Sequence, residues 1–201
     1  MRTKHAPSIH PGTPAHEELV ELFAQLLRAL GFDTLHEHLN GTPRRLARLY
    51  AELLRGYDEL DFDFTTFEPT TRDMIISKDI RFHSLCSHHL VPFFGVCHIG
   101  YIPKKEEEGG KMAGLSKIAR TVQHFAARLQ VQETLTQEVA NFLNDRLNPL
   151  GVVVVVEATH LCQEMRGVRT SSTMITSAVR GIFLEESTGL AKSEFFRLIG
   201  K

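Results

Sequence analysis

Five consecutive valines, Val152–Val156, sit inside the stretch GVVVVVEATH at 151–160 and leave little choice of local structure. β-Branched side chains are stiff at χ1 and suit a pleated strand better than a helix. The run therefore reads as a fully apolar strand. Upstream, MIISKDIRFHSL is β-rich and FFGVCHIGYIP alternates, which predicts a hairpin with Ser87–Pro92 near its turn. Downstream, STMITSAVRGIFLE reads as a last strand and KSEFFRLI as a short terminal helix.

Two segments with helical periodicity separate the hairpin from the valine strand. GLSKIARTVQHFAARL carries a stripe of Leu115, Ile118, Val122, Phe125, Ala126 and Leu129. ETLTQEVANFLNDRL carries Leu135, Val139, Phe142, Leu143 and Leu147. Two more helices come first. One covers 16–30 and stops at Gly31; the other lies in GTPRRLARLYAELLRGY, with Thr42 as N-cap and Pro43 at the first helical position. The order αα then ββααββ predicts an α+β fold, an antiparallel sheet with a helix pair on one face. We expect a mobile tail over 1–14, a helical region over 15–57 and the main catalytic region over 58–201. KKEEEGGKMA, at 104–113, reads as a solvated charged turn. A four-stranded sheet has two free edges, so oligomerisation is expected.

Composition narrows the partners. Net charge is −1, from 23 basic and 24 acidic residues, so no basic field recruits nucleic acid or an acidic membrane surface. A phosphate-bearing ligand must be met by a local cluster. No apolar run approaches the ~20 residues of a membrane span, and MRTKHAPSIHPGTP lacks the apolar region of a secretory signal. The cysteines number three, Cys86, Cys97 and Cys162, too few and too odd for a disulfide scaffold, which favours a reducing cytoplasm.

Cys86 and His89 have C-x-x-H spacing in SLCSHHLV, and Cys162 follows His160 by two residues in ATHLCQE. Both segments end predicted strands, so the sheet could bring them together. Cys86, His89 and Cys162 would suit zinc, and three protein ligands leave a fourth position for water, the arrangement of a catalytic site. On spacing alone, the alternative to a metal site is that Cys86 and Cys162 are small buried hydrophobes. Cys97 reads as core. His88 and His160 stand beside these ligands, placed for proton transfer, for orienting a ligand, or as a fourth ligand. Ser116, Lys117 and Arg120 open a helix that could hold phosphate or be ordinary surface cations; Arg166 and Arg169 follow in a glycine-containing loop. Glu133 alone earns no role.

Taken together and in order, TPRRLARLY, SLCSHHLVPFFGVCHIGYIPK, GLSKIAR, LQVQETLTQ and HLCQEMRGVRT…TSAVRG resemble the zinc-dependent type I GTP cyclohydrolases from about residue 16 onward. The resemblance implies a T-fold subunit in a decamer of two pentamers. It implies conversion of GTP and water, activated by Zn2+, to formate and 7,8-dihydroneopterin triphosphate by opening the guanine ring at C8. Carried over, it makes Cys86, His89 and Cys162 the zinc ligands and His88 and His160 the proton-transfer pair. Glu133, with Gln132 beside it, would hold the guanine. Ser116, counted with the catalytic groups, and Lys117, Arg120 and Arg166 would hold the triphosphate and ribose, with Arg45 reaching in from a neighbouring subunit.

Two departures stand out. Ser87 occupies the place where the family usually has a glutamate, and the loop at 104–113 is several residues longer than usual. Rival readings make different demands. A purine-binding T-fold nitrile reductase needs a lone nucleophilic cysteine and NADPH. A non-catalytic zinc-stabilised scaffold or regulatory subunit needs a closed, four-coordinate metal.

Overall fold

The computed structural model describes residues 9–58, 60, 62–185 and 189–201, so most of the tail expected over 1–14 lies outside the described residues. The chain divides into a unit over Met1–Tyr57 and another over Asp58–Lys201. No helix among the described residues is long and apolar enough to cross a membrane.

The first unit contains α1 (Pro14–Ala29) and α2 (Thr42–Leu53). Thr13 caps α1, its hydroxyl oxygen accepting from the His16 N–H and satisfying one of the amides a helix start leaves bare. At α2 the expected cap is displaced by one residue. Gly41 is the N-cap, and the Thr42 hydroxyl accepts from the Arg45 guanidinium at 2.8 Å instead of capping the helix. Phe23 and Tyr50 join the two helices with ring centroids 5.3 Å apart. Arg44 donates to both carboxylate oxygens of Glu17, at 2.9 and 3.0 Å. Leu22, Leu26 and Leu30 recur every four residues and so share one side of α1. Each is half exposed or more, which leaves an uncovered apolar stripe.

The second unit runs β1 (Thr66–Phe67), β2 (Ile75–Cys86), β3 (Pro92–Ile102), β4 (Met112–Ala113), α3 (Leu115–Ala126), β5 (Leu129–Gln130), α4 (Gln132–Leu147), β6 (Gly151–His160), α5 (Leu161–Glu164), β7 (Thr173–Gly181) and α6 (Gly189–Ile199). The main sheet has the order β5-β2-β3-β6-β7. Its four long strands are antiparallel to their neighbours, the ββααββ order of a T-fold. The two-residue β5 is an addition, parallel to the end of β2.

Both faces of the valine strand are covered, which is why it is apolar at every position rather than at alternate ones. Val152, Val154 and Val156 pack beneath α3 and α4, with Ile118, Val122, Leu135, Val139 and Leu143. Val153 and Val155 face the other way, against Phe183, Phe195 and Ile199. Leu115, expected in the stripe of α3, is 79% exposed at the helix's first residue; the buried stripe begins at Ile118. Phe195 is fully buried and anchors α6 to the second face. Phe195→Ala is expected to cost about 3–5 kcal/mol, read as a shift in the urea midpoint. A loss below ~1 kcal/mol would show that α6 contributes little to that layer.

The segment at 104–113 is more ordered than a solvated turn. Glu106–Glu108 form one 3-10 turn whose side chains stay in solvent, closed by Gly109 at φ 73°. Asn148 ties it down, donating to Glu108 O at 3.0 Å and Gly109 O at 3.3 Å while accepting from Lys104 Nζ at 2.9 Å. Met112 and Ala113 then pair with β1.

Candidate metal and catalytic site

Alternating strand directions bring the end of β2, the start of β3 and the end of β6 to one end of the sheet. Cys86 is the last residue of β2, and the chain turns tightly behind it. Cys86 O accepts from the N–H groups of His89 (3.3 Å) and Leu90 (2.9 Å), the Cys86 N–H donates to Val91 O (2.9 Å), and Leu90 takes a φ of 56°. The turn folds two imidazoles back over the thiol. Cys86 Sγ lies 3.8 Å from Nδ1 of His88 and 3.8 Å from Nδ1 of His89. On β6, His160 pairs with Phe93. The single helical turn α5, which the periodicity did not predict, follows and carries Cys162.

The result is that ligand atoms of Cys86, His89 and Cys162 all lie within 4.8 Å of one another. Cys86 is buried, Cys162 half-buried and His89 exposed, so the group is anchored in the core and open on one side. Burial holds the Cys162 thiol above its ordinary pKa and the adjacent Cys86 adds to this, while Arg166 pulls the other way. Ionising both thiols here would set two like charges side by side. A divalent cation removes that conflict by replacing both protons, and two sulfurs with one imidazole form a donor set for a soft or borderline metal.

Beside this group, the His160 ring stacks on Phe93 with centroids 4.6 Å apart and planes 2° from parallel. Its Nε2 lies 2.8 Å from Gln132 Oε1. Burial holds the His160 imidazole below the ordinary histidine pKa, with the Glu133 carboxylate opposing that shift. The start of α4 reaches this place because Gln130 pairs with Cys86 and its carbonyl accepts from the Ser87 N–H at 2.9 Å. Glu133 is exposed in the first turn of α4. Gln132, expected beside it on the guanine, is only 1% exposed, and both ends of its side chain are occupied within the chain.

Of the residues read as phosphate-binding, those on α3 are not gathered here. Ser116 and Lys117 open α3, whose other end leads into β5 beside Cys86. Ala113, two residues before that helix start, donates its N–H to the Tyr101 hydroxyl at 3.1 Å, and Tyr101 pairs with Ile75 at the opposite end of β2. Eleven residues of strand at roughly 3.3 Å each separate Ile75 from Cys86. Within one chain, Ser116 and Lys117 are therefore remote from the cluster, and Arg120 lies one turn along the same helix. Arg166 is exposed just past α5, close enough for its charge to act on Cys162. The Arg169 N–H bonds Gln163 O at 3.0 Å, which closes the loop at a φ of 54°. Arg45, in the first unit, donates to His38 O and Thr42 Oγ1. Phe93 escaped the sequence reading, because only the register of β3 against β6 shows what it stacks on. Cys97, read as core, is fully buried.

Comparison with known proteins agrees with these motifs. The family model described as GTP cyclohydrolase I matches residues 19–200. A GTP cyclohydrolase 1 of Methylococcus capsulatus is 46% identical over 190 residues, covering 92% of this chain and 99% of that protein. Those of Halalkalibacterium halodurans and Bacillus subtilis are each 44% identical, covering 92% and 88% of this chain and 96% and 92% of their own lengths. A solved structure, the archaeosine synthase QueF-Like in the apo form, is 16% identical with a TM-score of 0.43, covering 54% of this chain and 96% of that one. With a family model spanning nearly all of it and relatives this similar along most of their length, the chain belongs to the GTP cyclohydrolase I family.

Proposed function

We propose that this chain is a zinc-dependent GTP cyclohydrolase I, which opens the guanine ring of GTP at C8, releases formate and yields 7,8-dihydroneopterin triphosphate. The observation that carries the reading is the convergence of Cys86, His89 and Cys162 within 4.8 Å, beside a histidine stacked in place. Those three residues would hold zinc, which would supply Lewis acidity and activate water. A closed scaffold site would need a fourth protein ligand.

The chain's own groups divide the remaining work. His88 and His160 move protons as C8 leaves and the ribose carbons reclose on the freed amines; imidazole suits that task because its two ring nitrogens can donate and accept a proton. Glu133 accepts from the ring N–H and the exocyclic amine of guanine, a pattern that adenine does not offer. Ser116, Lys117, Arg120 and Arg166 hold the triphosphate and ribose, with Arg45. The remoteness of Ser116 and Lys117 from Cys86 supports a site shared between copies of the chain. The open edge at β7 and the bare leucines of α1 supply surfaces for the assembly we propose, a homodecamer of two pentamers. Free thiols at Cys86 and Cys162 suit a reducing cytoplasm.

The test is turnover of GTP against ATP, with formate as the readout, in the wild type and in Glu133→Gln. We expect formate from GTP only. Loss of one charge-assisted contact should lower kcat/KM about 10–100-fold. Formate from ATP, or an unchanged kcat/KM in Glu133→Gln, would remove Glu133 from the guanine.

A further inference from the structure

Gln132 is among the most enclosed polar side chains in the protein, yet each of its hydrogen bonds has a readable direction. Oxygen and nitrogen of a glutamine amide have nearly the same outline, so the surrounding groups decide which is which. On one side stand Val156 O and Met174 O, both 3.0 Å from Nε2. Backbone carbonyls only accept, so they require the amide N–H groups. Thr176 Oγ1 lies on the same side at 3.2 Å. Its own proton is used elsewhere. Thr136 gives its proton to Gln132 O at 2.7 Å, so in the 2.6 Å Thr136–Thr176 contact it is Thr176 that donates. Thr176 therefore shows Gln132 lone pairs alone.

All three groups on that side are acceptors, and flipping the amide would aim an oxygen at three oxygens. Oε1 must face His160, 2.8 Å from Nε2. An amide oxygen cannot donate, so His160 Nε2 carries the hydrogen and the lone pair of the neutral ring is on Nδ1. The parallel stack on Phe93, itself fully buried, fixes the plane in which that nitrogen lies.

We propose that Gln132 is a positioning residue: through an amide locked by Val156, Met174 and Thr176, it sets the orientation of His160 and the nitrogen that bears its hydrogen, leaving Nδ1 to work on the substrate. Gln132 then acts behind His160 and makes no bond to guanine. The inference rests on the reading of His160 as a proton-transfer group.

Two substitutions separate this role from plain stabilisation. Gln132→Met has nearly the same shape but offers His160 no acceptor. Gln132→Glu keeps an oxygen for the Nε2–H but sets a second oxygen against two carbonyls, and so is the less stable of the two. With GTP as substrate we expect kcat of Gln132→Met to fall about 10–100-fold, with KM within about threefold of wild type. Gln132→Glu should be the more active variant despite its lower urea midpoint. Activity that follows stability instead, or a raised KM with kcat kept, would overturn the proposal; the second result would return Gln132 to the guanine. Where Gln132→Glu does not fold, the double variant Gln132→Met/His160→Asn decides. It should be no slower than His160→Asn alone, and a further loss would refute action through His160. A wild-type kcat in His160→Asn would overturn the role of His160 and this inference with it. Loss in His160→Asn beside full activity in Gln132→Met would overturn this inference alone.

Discussion

Cys162→Ser is expected to abolish both formate and dihydropterin formation, because it removes one of the three ligands we propose. A serine hydroxyl is harder than a thiolate and keeps its proton near neutrality, so it does not replace the sulfur donor. Metal-ion catalysis supplies several kcal/mol of transition-state stabilisation, so turnover should fall by at least about 10³-fold. Bound metal should drop below one ion per chain. The fold should survive, since Cys162 is only half-buried and sits on the short α5, outside the fully buried core. The urea midpoint, measured on the metal-free forms of both proteins, should move by less than about 1 kcal/mol. Retention of metal and activity together would show that Cys162 is not a ligand.

His160→Asn should be nearly as damaging to the rate while leaving the metal bound. Asparagine still offers an N–H toward Gln132 but cannot take up and release a proton near neutrality. General acid–base groups typically contribute 10²–10⁴-fold, and a loss of about that size in kcat is expected. Because burial lowers the pKa of His160, its neutral form persists further into acid than that of a free histidine. Activity that depends on the neutral ring should therefore be lost only below the ordinary histidine range. Equal metal content in His160→Asn and wild type, with kcat reduced, separates this residue from the ligand set. Loss of metal in His160→Asn would make it a fourth ligand and favour a closed site.

Much of this was legible in the chain because the strongest local signals agreed with the fold. Val152–Val156 could only be a strand, and the periodic stripes of α3 and α4 placed a helix pair between two hairpins. The short spacing from Cys86 to His89, beside the predicted hairpin turn, marked both as candidate ligands. What sequence could not show depends on register and chain direction. That Phe93 lies under His160 follows from the pairing of β3 with β6, and no spacing encodes it. Gln132 looked like a partner of Glu133 because they are neighbours in sequence, yet the rotation of roughly 100° between consecutive helical residues sends one inward and the other to solvent. Ser116 and Cys86 look like parts of one site, but α3 runs back along the sheet and separates them. Leu115 fits the helical period and is still exposed, since periodicity does not show where a helix leaves the core. The acidic loop at 106–108 gave no sign that Asn148, some forty residues on, would hold its backbone.

The most direct test of the central claim follows formate and dihydropterin together from GTP, in purified protein before chelation, after it, and after zinc is restored. We expect one formate per dihydropterin, both lost on chelation and both recovered with about one zinc per chain. Turnover that survives complete removal of the metal would contradict the role given to Cys86, His89 and Cys162. A zinc-replete, folded protein that releases no formate would contradict the assignment as a cyclohydrolase.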